Sequence, residues 1–228
     1  MPPVPRADAP KRKQESVYDH LLERFADGRI GFGAPLAVRE IAAATGASKH
    51  PIMSALKELA AQGFVVITAQ VGCQAIAPRA EEIADFFLMF SRMEGVMAEL
   101  AARRRTGAEV DALAAINAAI ARLPRRAAGS GERYRQLNRE FHGAIHRMAR
   151  SEALHRSLMA NWAMSDFFIS QSGEFARHLD EAAAEHAGII AAIGAGAAAR
   201  ARRAMEDHIL GFRLKVLARL GGPAARAR

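Results

Sequence analysis

Three histidines in the C-terminal half of the chain have the residue type and the placement of metal ligands. His142, His186 and His208 fall in three different predicted helices, and Asn138 precedes His142 by four residues. That spacing puts Asn138 and His142 on the same side of one helix. Imidazole groups that converge inside a helical bundle can bind Zn, Ni or Mn. The alternative is that each histidine is an ordinary surface or core residue.

A second group of residues has the spacing of a helix-turn-helix. Segment 39–48 is predicted to form a short helix and a tight turn at Gly46, and Ser48 opens the next helix. The free amides at the start of that helix favour phosphate, and its first side chains can enter a major groove. The hairpin that follows places its tip near the minor groove. The residues expected to contact DNA are Arg39, Ser48, Lys49, His50, Ser54, Gln70 and Gly72.

The elements around these residues follow the order of a winged helix-turn-helix. Apolar spacing predicts helices, a β-branched run predicts a strand, and Gly72 supplies the turn to a returning strand. Ser16 and Asp19 resemble a capping box at the start of the first helix, and Gly28 ends it. The predicted helices are 16–27, 38–45 and 48–61, and the predicted strands are 64–68 and 73–76.

The remainder of the chain has no strand signal and predicts an antiparallel bundle of about six helices. Each segment alternates apolar and charged residues at helical spacing, and glycine, proline or serine separates it from the next. The fold class is therefore mainly α, with a small N-terminal hairpin. The predicted helices are 81–104, 109–122, 131–149, 152–171, 174–193 and 197–219.

Composition restricts the class of protein without locating a site. The 228 residues carry a net charge of +8, which permits binding to nucleic acid. Residues 1–78 contain 9 Lys and Arg and 7 Asp and Glu, so the net charge of this segment is only +2. The absence of a long apolar run predicts no membrane partner, and the single Cys73 fits a cytoplasmic location. Residues 1–13 are predicted to be a disordered basic arm, and 221–228 a flexible tail.

The stretch from Val17 to Pro78 resembles the DNA-binding domain of the GntR family of regulators along its full length. The resemblance rests on G-R-I-x-x-G-x-x-L, R-E-I-A-A-A-T-G-A-S and P-I-M-S-A-L-K-E-L-A-A-Q-G-F-V. It implies a winged helix-turn-helix that binds operator DNA as a homodimer. Two arginines usual in the family are Lys49 and Met53 here. Lysine lacks the bidentate fork of arginine on guanine, so the operator sequence does not carry over.

From about Glu81 to Leu217 the chain resembles the all-helical FCD ligand-binding domain of the FadR-type GntR subfamily. The resemblance rests on M-E-G-V-M-A-E-L-A-A at 93–102, N-R-E-F-H at 138–142, E-H-A-G-I-I-A-A-I at 185–193 and A-M-E-D-H-I at 204–209. It implies a divalent metal held at the floor of an effector pocket. The ligands it implies are Asn138, His142, His186 and His208.

Two further features bear on the effector and on the ligand set. The family often has an arginine, which meets a carboxylate, where this chain has Phe90, and Arg92 is rotated by about 200° from it on an ideal helix. His146 shares a face with His142 and could replace Asn138, but the resemblance favours Asn138, so His146 is interpreted as a supporting or structural residue. His155 and His178 are interpreted as solvated. The residues expected around the effector are Phe90, Arg92, Met93, Met97 and Trp162.

The domain hypothesis assigns DNA binding to 14–78 and effector binding, metal binding and dimerisation to 79–220. The expected function is a ligand-responsive transcription regulator, a repressor, whose operator affinity changes when a small molecule such as an organic acid binds. A metal-dependent enzyme is the alternative, but no nucleophile elbow, phosphate-binding loop or dinucleotide fingerprint occurs. A DNA-binding protein without an effector is a third hypothesis.

Overall fold

The computed structural model describes residues 9–124, 127, 129–173 and 179–220. The chain divides into two compact units between Pro78 and Arg79, and each unit is described separately below. Among the described residues, every helix is too short or too polar to cross a membrane.

The N-terminal unit consists of three helices and a hairpin, which confirms the predicted winged arrangement. The antiparallel hairpin pairs Val65 with Ala75 and Thr68 with Gly72. Residues before α2 also join the hairpin, because Leu36 donates its backbone N–H to the carbonyl of Cys73. The elements are α1 (Ala9–Ala26), α2 (Val38–Thr45), α3 (Lys49–Ala61), β1 (Val65–Thr68) and β2 (Gly72–Ala75).

Helix α1 begins earlier than predicted, at Ala9. The disordered arm predicted over 1–13 is therefore wrong for 9–13, and Ser16 lies inside the helix instead of capping it. The residues between Ala9 and Ser16 are mostly Lys, Arg, Gln and Glu, which are good helix formers, and Pro10 stands in the first turn, where its missing N–H costs little. The remainder of the predicted arm and the predicted tail at 221–228 lie outside the described residues.

The turn between α2 and α3 presents the start of α3 to the surface. Gly46 has a φ of 65°, a left-handed conformation that glycine adopts without strain, and its N–H bonds to the carbonyl of Ala42. Ser48 occupies the N-cap position of α3 as predicted, but its side chain makes no capping hydrogen bond. Behind the turn, Ile52 and Leu56 are fully buried, so α3 is anchored by one face while its first residues stay exposed.

The C-terminal unit is a bundle of six helices, as predicted. The bounds are α4 (Ala80–Arg104), α5 (Gly107–Ala121), α6 (Ser130–Ala149), α7 (Glu152–Ser172), α8 (Leu179–Gly194) and α9 (Ala198–Leu220). Helix α4 packs against α6, α7, α8 and α9 and so lies at the centre of the unit. The start predicted for the fifth of these helices, at 174, lies outside the described residues.

Neighbouring helices of the bundle run mostly antiparallel, but α4 and α6 run in the same direction. Glu94 of α4 lies opposite His142, and Arg104 at the end of α4 bonds to the carbonyl of Ala149 at the end of α6. Helix α5 lies between them in the chain and returns it to the starting end. This pairing places His142 and His146 in the middle of α6 beside Glu94 of α4.

We expect Gly95→Ala to destabilise the C-terminal unit by about 1 to 3 kcal/mol, because the helix contact there has no room for a methyl group. A Cβ at Gly95 would lie 2.7 Å from Cγ of Glu206 and 3.2 Å from Cγ of Arg202, where α4 crosses α9. Urea unfolding followed by circular dichroism measures the change.

The matched control is Gly188→Ala in α8. Among the described residues, no atom beyond its chain neighbours and the nearby backbone of α8 lies within 4 Å of the position of its Cβ, so the higher helix propensity of alanine should raise stability by up to about 1 kcal/mol. Equal or greater stability of the Gly95 variant relative to the parent would contradict the packing argument.

Candidate metal centre and DNA-contacting surface

The three histidines predicted as metal ligands lie together in the core of the C-terminal unit. His142 comes from α6, His186 from α8 and His208 from α9, and one ring nitrogen from each lies within 4.8 Å of the others. All three side chains are at most 3% exposed. Three buried imidazoles on three helices form a donor set open to a metal ion, which the sequence could not establish.

Asn138 supplies a candidate fourth ligand. It is buried one turn before His142 on α6, and its Oδ1 has no hydrogen-bond partner among the described residues. Nε2 of His142 is buried without a hydrogen-bond partner in the same way. A buried polar atom that is left unpaired costs about 1 to 3 kcal/mol, which a metal bond would offset.

Each histidine is held in place by a different neighbour. Nδ1 of His142 lies 3.1 Å from Oε2 of Glu94, and Nδ1 of His208 lies 2.6 Å from Oε2 of Glu185. The ring of His186 stacks on Phe141, with centroids 3.9 Å apart and planes 9° from parallel. Each of the three imidazoles is therefore oriented by a protein group of its own.

Glu94 is a fully buried carboxylate at the centre of this network. Its Oε1 accepts hydrogen bonds from Nε1 of Trp162 at 2.7 Å and from Nε2 of His146 at 2.8 Å, in addition to the contact with His142. Burial alone raises the pKa of Glu94, but the hydrogen bonds to His142 and His146 outweigh it and bring the pKa to about 2. Burial lowers the pKa of His142. Glu94 is thus ionised and His142 neutral at neutral pH.

His146 and His155 form a side branch of the network. Nδ1 of His146 lies 3.3 Å from Nδ1 of His155, while Nε2 of His146 is engaged by Glu94. His155 is half-buried, so its interpretation as a solvated residue was wrong; α7 turns it towards α6. His178 lies outside the described residues.

The residues predicted to surround an effector divide into two groups. Phe90, Trp162 and Met97 are buried, and the Trp162 ring lies 5.3 Å from that of Phe90 and 4.5 Å from that of His142. Met93 is half-buried nearby, where Asn161 donates to its sulfur at 3.8 Å. Arg92 points elsewhere, because its guanidinium pairs with Glu206 on α9 and its side chain is 55% exposed.

The donor set fits a divalent metal in its chemistry. Metal–nitrogen bonds of about 2.1 Å place ligand atoms roughly 3 to 4 Å apart, so small rotations of the three rings are enough to converge on one ion. Three imidazoles and an amide oxygen suit Zn, Ni or Mn. The donors are imidazole nitrogens and an amide oxygen, and the carboxyl groups of Glu94 and Glu185 each lie one hydrogen bond away from a donor.

Sequence reasoning did not assign a role to Glu94 or Glu185. Glu94 carried a usable signal, since a charged residue in a stripe formed by Phe87, Phe90 and Met97 at helical spacing must find buried partners. Glu185 carried none. Its position next to His186 suggested that the two point about 100° apart, whereas its partner, His208, comes from a different helix.

The N-terminal unit exposes all of the residues predicted to contact DNA except Ser54. Within the described part of the chain, the side chains of Arg39, Lys49 and His50 are exposed and make no hydrogen bond or ion pair, so their polar groups are available to another molecule. Ser54, one turn further along α3, is half-buried. At the hairpin tip, Gln70 and Gly72 are exposed, and Gln70 has a φ of 61°.

Comparison with known protein families accounts for both units. Residues 13–74 match the family described as "Bacterial regulatory proteins, gntR family", and residues 85–211 match the family described as "FCD domain". A curated relative from Paenarthrobacter nicotinovorans, the "Probable D-xylose utilization operon transcriptional repressor", is 27% identical over 205 residues. The alignment covers 86% of this chain and 85% of that protein.

Solved structures show the same fold. McbR/YncC of E. coli gives a TM-score of 0.75 at 16% identity, over 92% of this chain and 99% of that one. A structure from Rhodococcus sp. RHA1 described as a transcriptional regulator GntR gives a TM-score of 0.71 at 18% identity, over 91% of this chain and 98% of that one. The fold is therefore shared with proteins of very different sequence.

Proposed function

Because this chain belongs to the gntR family of bacterial regulatory proteins and carries an FCD domain, we propose that it is a transcription regulator whose DNA binding responds to a metal-bound small molecule. Residues 14–78 bind operator DNA, and residues 79–220 bind the metal and the effector and form a homodimer. The observation that carries the proposal is the buried cluster of three imidazoles, in a chain whose N-terminal unit exposes the side chains of Lys49 and His50 at the start of α3.

The proposed metal ligands are Asn138, His142, His186 and His208. Their burial and the unpaired Oδ1 of Asn138 support the assignment. When bound, a divalent ion supplies Lewis acidity to an oxygen of the effector. Phe90 and Trp162 exclude water beside the histidines, and they support an effector with an apolar or flat part next to its oxygen donors, such as an organic acid.

We propose repression as the sign of regulation, since the Paenarthrobacter relative is named as a repressor. A dimer places two DNA-binding units on the two halves of a palindromic operator. An effector that binds one arrangement of the two units more tightly than the other shifts the dimer towards that arrangement. The change in operator affinity is limited by the difference between the effector's affinities for the two arrangements.

An enzyme on the same bundle is the competing function. Both carboxylates that contact the histidines are hydrogen-bonded, Glu94 to three side chains and Glu185 to His208, which favours a role in orienting ligands over a role as a general base. The proposal is therefore a binding site, where hydrogen-bonded carboxylates hold ligands in place.

Binding of the full chain to a pool of random duplexes tests the proposed function. We expect selected duplexes to share two inverted half-sites, and their affinity to differ between chain treated with EDTA and chain reloaded with Zn, Ni or Mn. If the selected duplexes shared no motif, the proposal that the chain is a transcription regulator would be rejected. If the duplexes share a motif but bind equally well with and without metal, the chain is a DNA-binding protein whose helical bundle does not regulate DNA binding through the metal.

We expect Asn138→Asp to raise metal affinity by about tenfold or more, because a carboxylate adds a full negative charge where the amide has only a dipole. Competition with a chromogenic chelator measures the affinity. Asn117→Asp is the control: Asn117 is also buried with an unpaired Oδ1, but it lies on α5, where it donates to the carbonyl of Ala183. Equal affinity in Asn138→Asp and the parent would exclude Asn138 as a ligand.

A further inference from the structure

The hydrogen bonds around Glu94 determine where the protons of the neighbouring histidines lie. The indole of Trp162 can only donate, and it donates to Oε1 of Glu94 at 2.7 Å. An ionised carboxylate can only accept. Nδ1 of His142, 3.1 Å from Oε2, and Nε2 of His146, 2.8 Å from Oε1, must therefore both be protonated donors.

The same reasoning applies to the second ring nitrogen of His142 and of His146. Since a neutral imidazole carries one proton, His142 keeps a lone pair on Nε2, which is buried without a hydrogen-bond partner. His146 keeps its lone pair on Nδ1, and this atom lies 3.3 Å from Nδ1 of His155, which can donate to it. Every contact in the chain from His142 to His155 is satisfied by a single pattern of protons.

We propose that Glu94 is the positioning residue of the metal centre: it selects Nε2 of His142 as the ligand atom and withdraws His146 from the ligand set. The inference rests on the proposed metal site. Carboxylates that hold a ligating imidazole in this way are worth about 10- to 100-fold in metal affinity. Glu185 acts in the same way on His208, through the contact with its Nδ1 at 2.6 Å.

The replacement Glu94→Gln keeps the size of the side chain but is expected to move the proton of His142 to its other ring nitrogen. A glutamine has one acceptor oxygen and one amide nitrogen. The oxygen must stay at the position of Oε1, where both Trp162 and His146 donate. The amide nitrogen then faces Nδ1 of His142 and donates to it, which moves the proton of His142 to Nε2. The variant should therefore block the ligand atom instead of merely loosening it.

Nitrogen-15 NMR of the metal-free full chain tests this directly, because the two tautomers of imidazole differ in their nitrogen shifts. We expect His142 to carry its proton on Nδ1 in the parent and on Nε2 in Glu94→Gln. Zinc titration should show a 10- to 100-fold weaker Kd for that variant. The control is Glu99→Gln on the same helix, which disturbs an ion pair with Arg103 at 2.7 Å and should change neither readout.

The outcomes separate this inference from the proposed function. A proton on Nε2 of His142 in the unmodified protein would overturn the role of Glu94, and that measurement needs no variant to fold. A parent-like zinc Kd in Glu94→Gln would overturn it as well. If the parent itself binds no zinc, nickel or manganese, the proposed metal site fails, while the NMR result still decides whether Glu94 sets the tautomer.

Discussion

Replacing His186 with alanine is expected to reduce the metal content of the purified protein to near zero. The variant removes one of three imidazoles that converge from α6, α8 and α9, and leaves His142 and His208 as the remaining nitrogen donors. An ion held by two imidazoles and an amide oxygen is bound far more weakly, by roughly 100-fold or more if each lost ligand is worth about 3 kcal/mol. Elemental analysis after gel filtration measures the content.

Loss of packing is the effect that must be separated from loss of a ligand. The ring of His186 stacks on Phe141, so alanine also leaves a hole in the core. His186→Phe retains an aromatic ring against Phe141 but has no nitrogen, and it should lose metal to the same extent with less loss of stability. His155→Ala removes a half-buried imidazole of the same unit outside the cluster and should retain parental content. Parental content in both His186 variants would place the metal elsewhere.

The elements of this fold were predictable because they depend on short-range patterns. Helix α2 has the predicted bounds, since Gly46 must end it. The bundle helices have bounds within two residues of the predicted ones, apart from the start predicted at 174, which lies outside the described residues. The start of α1 was missed because basic residues and Pro10 resemble a disordered arm, although the same residues support a helix when Val17 and Leu21 anchor the next turns in the core.

The candidate metal centre was only partly predictable, since its residues come from distant parts of the chain. Asn138 and His142 share one turn of α6, which sequence spacing predicts, but His186 and His208 are brought to them by the packing of α8 and α9. Glu94 is decisive only through three contacts that cross helices. A family resemblance can suggest such ligands, but the carboxylates that hold them are identified only from the structure.

Replacing Lys49 and His50 together with alanine is expected to weaken binding to a selected operator duplex by about 10- to 100-fold, because each contact with DNA contributes about 1 to 2 kcal/mol. Both side chains are exposed at the start of α3 and unpaired within the described residues, whereas Ile52 and Leu56 further along the helix are fully buried. The substitution therefore removes binding groups without touching the core. Gel shift at several salt concentrations measures the affinity.

The salt dependence separates the contribution of Lys49 from that of His50. A lysine that neutralises one phosphate adds about 0.9 to the slope of log K against log salt, so the slope should fall by about one in Lys49→Ala and stay nearly constant in His50→Ala. Lys57→Ala is the control, because Lys57 is exposed two turns further along α3, away from its amino end. If the double variant bound the duplex as tightly as the parent, α3 would not be the helix that enters the groove, and the exposed hairpin residues would have to account for DNA recognition instead.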